Sequence, residues 1–249
     1  MSVDVTQIAV VRRVRPNAYA EGQELGIVRS GRYGEQMAMS LGLTGKHALA
    51  DEGSYFVATN PTPGTAIAFP VNAAYDVTKN LFVIKNNDIV TNPMPKRLYL
   101  DTIKVIPTVV PAAATSAHFS LVVDSAARYT SGGTLAVPVN VNGDDGTVSV
   151  AQIYYATTTV ITSPAAGSSA RLVARGMLRS TIPVLFDEMI IQCGTVDASA
   201  GVGSTAGRIV TTTAPIILGP QQSAVLTVWF PSNAVTGLSY EFEMGWAER

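Results

Sequence analysis

Residues 212–249 read TTAPIILGPQQSAVLTVWFPSNAVTGLSYEFEMGWAER, and this stretch decides the fold. Residues 215–218 form a short apolar run, 219–223 are turn-forming, and 224–230 are rich in β-branched and aromatic side chains with no helical period. Pro231 and Ser232 end that run. Beyond a glycine-containing connection, Tyr240, Phe242 and Met244 alternate with Glu241 and Glu243, the pattern of a strand with one buried and one wet face. The chain therefore closes on paired strands.

Working back from there, strand signals are dense from Lys96 onward, at residues 97–106, 118–124, 135–141, 147–158, 169–178, 184–193 and 207–212. Glycine- and proline-rich turns separate them, and no amphipathic helical pattern of ten residues or more intervenes. Many short strands of this kind predict an all-β fold, an antiparallel, jelly-roll-like β-sandwich over residues 96–249. Residues 61–95 read as connecting strands or a hairpin, at 66–69 and 81–85. Residues 1–60 read as an extended, glycine-rich N-terminal arm, with a short strand at 8–11 and a turn or two of helix at 35–41, because glycine at that frequency interrupts regular elements. Such an arm is expected to order on a partner.

The composition bounds the partners. Hydrophobic residues make up 47% of the chain and charged residues 14%, with a net charge of -1. Charged residues are roughly a quarter of an ordinary globular protein, so the deficit here predicts a surface partly covered by neighbouring subunits. A near-neutral chain gives no electrostatic reason for direct nucleic-acid binding. Residues 1–104 hold 11 basic and 9 acidic side chains, whereas residues 105–249 hold 6 arginines, no lysine and 9 acids. Arginine is enriched and lysine depleted at protein interfaces, which agrees with a packed C-terminal half. The start of the chain carries no secretory pattern, and no apolar run reaches the roughly 18 residues of a membrane span. A soluble protein without a membrane partner is expected.

Candidate chemistry is sparse. His47 and His118 are the two histidines and Cys193 the one cysteine, too few for a cysteine-rich or three-histidine zinc site; Cys193, in an apolar run, is expected to be buried. His47 stands four residues before Asp51, a spacing that shares a helix face, but two groups do not complete a metal site. The oxygen-rich segment 140–146 resembles a calcium loop, yet its glycine falls one place late and Ala151 occupies the position of the final carboxylate ligand. A hairpin turn accounts for its Asn, Asp and Gly content. No nucleophile elbow, phosphate loop or zinc-protease motif occurs. Catalytic, cofactor-binding and metal-binding residues are therefore expected to be none. Arg12, Arg13 and Arg15 predict an ionic contact with another protein subunit, with Glu241 and Glu243 as the expected counterpart on an adjoining copy. Trp229, Trp246 and Tyr240 invite a sugar-stacking role, weighed against core packing.

With the glycine-rich arm, the single cysteine, and the closing runs Leu226-Thr227-Val228-Trp229-Phe230-Pro231-Ser232 and Tyr240-Glu241-Phe242-Glu243-Met244-Gly245-Trp246, the chain resembles structural proteins of tailed-bacteriophage virions over residues 96–249. The resemblance is greatest to β-sandwich capsid decoration or cement proteins. It implies a noncatalytic virion subunit, assembled in the host cytoplasm as a homotrimer and bound to a shell of major capsid protein. A jelly-roll major capsid protein, a tail or fibre component, and a carbohydrate-binding sandwich are the alternative readings.

Overall fold

The computed structural model describes residues 45–62, 64–111, 113–164, 167, 169–178, 188–194, 207–212, 216–231 and 237–249. A single short helix among them, α1 (Gly45–Asp51), leads into two facing sheets. The first sheet runs in the order β13 (Gly207–Thr212), β12 (Glu188–Cys193), β4 (Leu98–Val109), β16 (Ser239–Glu248), β1 (Tyr55–Thr59) and β8 (Val139–Asn140). Two short strands extend it, β14 (Ile216–Leu218) on β4 and β2 (Ile67–Ala68) on β16. The second sheet runs β11 (Arg171–Met177), β5 (His118–Asp124), β15 (Ser223–Trp229), β3 (Phe82–Asn86), β9 (Ala151–Tyr155) and β7 (Thr134–Ala136). Every pairing is antiparallel except that of β12 with β13. The predicted all-β sandwich is what the chain adopts.

Consecutive strands cross between the layers and the crossings lie side by side. β4 leads to β5 and β15 leads to β16, while β4 pairs with β16 in one layer and β5 with β15 in the other. The pair β11 and β12 lies alongside β5 and β4 in the same manner. This is the winding of a roll. The inner faces meet in one core, where Phe82 and Tyr155 of the second sheet lie 6.0 and 5.3 Å from Phe242 of the first, and Phe69 from a connecting segment bridges Phe119, Phe230 and Tyr240.

The expected alternation in the closing strand is present: Tyr240, Phe242 and Met244 are buried and Glu243 is exposed. At β4 the alternation changes phase. Gly245 pairs with Thr102 and Trp246 with Leu100, so Asp101 is an extra residue in the ladder. The bulge lets Leu98, Leu100, Ile103 and Val105 all face the core.

Two expectations need correction. Residues 55–59 do not belong to an arm: they form β1, paired with residues 243–247 of β16, and bury Phe56 and Ala58. Residues 135–141 are not one strand but two, β7 on the edge of the second sheet and β8 on the edge of the first, separated at Pro138. A proline lacks the N–H that a continuous ladder would use there. The expected elements at 8–11 and 35–41 lie outside the described residues, and Cys193 is buried as expected.

The outer face of the second sheet is partly roofed by a two-stranded ribbon, β6 (Tyr129–Ser131) with β10 (Val160–Ile161), over Val83 and Val225. Arg128 enters beneath it and is 1% exposed. Its Nε and Nη2 donate to the Thr162 carbonyl at 2.8 and 2.7 Å, and Nη2 also to the Val77 carbonyl. Burial lowers its pKa, and the nearby Asp124 carboxylate opposes that shift. The membership of β1 in the core is testable: Phe56 stacks on Trp246 at 6.2 Å, and Phe56→Ala should lower stability by about 3–5 kcal/mol in urea unfolding, where an arm residue would change it by less than about 0.5 kcal/mol.

Candidate functional site

Glu241 and Glu243 lie on the outer face of the first sheet, but not as an unpaired acidic patch. The Gly64 N–H donates to Glu241 Oε1 at 2.8 Å, and Glu243 stands opposite Lys104 in the strand register. Lys104 Nζ lies 3.1 Å from Glu188 Oε1 on β12. Across β1, the Tyr55 hydroxyl donates to Asp101 Oδ2 at 2.6 Å, and Lys46 Nζ of α1 lies 2.8 Å from the same oxygen. Partial burial, then the Asp101 hydrogen bond and charge, push the Tyr55 phenol far above its ordinary pKa. The face carries mixed charge, with Glu241, Glu188, Lys104, Asp101 and Lys46 each partnered within the chain, and each ion pair contributes less than about 1 kcal/mol. Arg12, Arg13 and Arg15 lie outside the described residues.

The oxygen-rich segment is a run of side-chain turns. Asn140 Oδ1 accepts from the Asn142 N–H, Asn142 Oδ1 from the Asp144 N–H, and Asp145 Oδ1 from both the N–H and hydroxyl of Thr147. These oxygens point at their own backbone. The amides of Asn140 and Asn142 donate to the Gly53 and Asp51 carbonyls, tying the loop to the end of α1. Among the described residues, no three His, Cys, Asp or Glu side chains converge in a metal-binding group. His47 lies in α1, and nothing is described of its side chain.

The three candidate stacking residues separate. Trp246 and Tyr240 are fully buried: the Trp246 indole N–H donates to Glu248 Oε1 at 3.1 Å, and the Tyr240 hydroxyl to the Leu81 carbonyl at 3.2 Å. Burial pushes the Tyr240 phenol far up. Trp229 points the other way, to the outer face of the second sheet, with His118 and Tyr75 at 5.6 and 5.3 Å. Partial burial, helped by the Arg175 charge, lowers the His118 pKa. Two of the three rings thus belong to the core.

The surface feature that sequence reading missed is an aliphatic ridge. Between β7 and β8 the chain crosses from the edge of one sheet to the edge of the other, exposing Leu135, Val137, Val139 and Val141 while Ala136 is fully buried. Val137, at the crest, is 72% exposed. Leu135 is paired with Tyr154 and Val139 with Val57, so the ridge wraps the side of the sandwich from one outer face to the other. No charged residue occurs from Thr134 to Val141, although edge strands ordinarily carry charge that deters pairing. The signal was the period-2 run of aliphatic residues around Pro138, Leu135 and three valines in one phase.

Comparison with known proteins returns no match: no family model, no curated protein and no solved structure is similar to the chain.

The end of α1 supplies a local test of this architecture. Gly53 has φ +69°, and a Cβ there would stand 1.8 Å from Asp145 Oδ2. Gly53→Ala should destabilise by about 1–3 kcal/mol in urea unfolding through left-handed strain and displacement of Asp145, and Gly143→Ala, which meets open space, should cost less than half as much.

Proposed function

We propose that the chain is a noncatalytic structural subunit of a virus particle, a capsid decoration or cement protein that binds a shell of major capsid protein. The observation that carries this reading is the uncharged aliphatic ridge of Leu135, Val137, Val139 and Val141 along the side of the sandwich. A contiguous apolar ridge on a soluble surface is a docking element, and a convex one suits a groove on a different protein. Copies fixed on a repeating shell supply such grooves in array, which lets a modest single contact act with high avidity. Residues 1–44, with Arg12, Arg13 and Arg15, add a second grip in this reading. A deletion that tests that grip ends at residue 44, since removal through residue 60 would take away β1 and its Phe56.

Co-sedimentation of the full-length protein with shells of its own particle tests the reading. Wild-type protein should saturate the shells. The double substitution V137E/V139E, at exposed sites, should keep the thermal midpoint and weaken binding at least about tenfold, a loss of roughly 1.4 kcal/mol or more. Wild-type protein that stays in the supernatant would overturn the proposal.

A further inference from the structure

Tyr129 of β6 and Tyr154 of β9 lie face to face, with ring centroids 3.6 Å apart and planes 8° from parallel. Carbon atoms in contact stand about 3.5 Å apart, so the two rings overlap with almost no lateral offset. Ring quadrupoles favour offset or edge-on pairs over such a sandwich, and the fold holds this one in place. Tyr154 projects from the outer face of the second sheet, where its register partners are Val83 and Leu135. Tyr129 comes down on it from the ribbon, packed against the cluster of Val83, Ile161 and Val225. The ribbon is clamped at its turn: Gly132 and Gly133 have φ of +71° and +73°, and Cβ atoms there would overlap the Thr158 carbonyl and the Thr159 hydroxyl. Each phenol also donates within the chain, Tyr129 to the Gly132 carbonyl at 3.1 Å and Tyr154 to Gln152 Oε1 at 3.2 Å.

Burial, and then the Tyr129 hydroxyl beside it, raise the Tyr154 pKa. The two phenol oxygens therefore stand side by side, and the ortho carbons of one ring lie over those of the other. Reacting atoms already in contact and aligned gain the advantage of proximity. We propose that Tyr129 and Tyr154 form an intrachain dityrosine cross-link under a peroxide-class oxidant that acts in one-electron steps. Each phenol gives up one electron and its hydroxyl proton. The two phenoxyl radicals then pair their electrons in a new bond between ortho carbons, and each ring moves the hydrogen of that carbon to its oxygen as a proton. The two electrons and two protons released convert one hydrogen peroxide to two waters. The chain has one cysteine and so no internal disulfide; this bond instead ties the ribbon over Arg128 to β9. Such a tie restricts the unfolded chain as a disulfide does. It uses neither the ridge side chains nor residues 1–44, so it stands or falls separately from shell binding.

The test is photo-oxidation of dilute full-length protein with a ruthenium tris-bipyridine sensitiser and persulfate, a peroxide that accepts the same two electrons and becomes two sulfates. Wild-type protein should gain dityrosine fluorescence, while its mass under denaturing conditions stays that of one chain less two hydrogens. Digestion should give a linked peptide pair that carries Tyr129 and Tyr154. Tyr129→Phe and Tyr154→Phe keep the ring and remove the hydroxyl that the radical step needs, and each should lower the yield at least about tenfold. Tyr75→Phe, at a more exposed tyrosine, should leave the yield unchanged. A thermal midpoint measured before oxidation establishes that each variant is folded. Wild-type protein that yields no link, a link that maps to other tyrosines, or a yield that survives either substitution in the pair would each overturn the cross-link.

Discussion

The pairing of β4 with β16 is the constraint on which the rest of the structure depends. These are the two longest strands, and β12, β14, β1 and β2 all attach to one or the other. A ladder without an insertion would keep one phase throughout. With Leu98 and Leu100 inside, Ile103 and Val105 would then face solvent. The extra residue at Asp101 resets the phase and keeps all four in the core. It also leaves the outer face tightly filled: a Cβ on Gly245 would lie 2.5 Å from the Tyr55 hydroxyl, which crosses the ladder there to reach Asp101. The bulge and the glycine are two parts of one solution.

The same ladder carries a carboxylate inward. Glu248 is 3% exposed, and it is tolerated because donors surround it: the Trp246 indole, the Ser149 hydroxyl, the Val150 N–H and Lys96 Nζ at 3.4 Å. Buried charge needs partners of this kind. Together with Arg128 under its ribbon and the Lys46, Asp101, Lys104 and Glu188 pairs, it shows where a small complement of charge is used. Much of it is committed within the chain, which leaves valine, isoleucine and methionine at the edge and end of the sandwich.

How much of this was legible depended on the range of the interactions. Alternation at Tyr240, Phe242 and Met244 is local, and so the closing strand and the outward direction of Glu241 and Glu243 could be read directly. The same rule was available at residues 224–229: with Ala224, Leu226 and Val228 inside, Trp229 faces outward while Trp246 does not. β1 was illegible for the opposite reason. Its five residues follow a glycine-rich stretch, and their strand character is completed by a partner about 190 positions later. The Gly64 N–H at Glu241 and the Tyr55 hydroxyl at Asp101 likewise depend on chain crossings that no local pattern announces. Pro138 was a usable signal, because a strand interrupted by proline in mid-run is better read as two.

The shape of the ridge decides what it is suited to meet. The ridge is convex, with Val137 at its crest and Leu135 and Val139 falling away to opposite faces, so two ridges would touch at one side chain and leave the others wet. A convex surface is complementary to a concave one. A neutral ridge has no charge to set a register and relies on fit alone. The fold places this surface along a side of the sandwich, where selection is by shape.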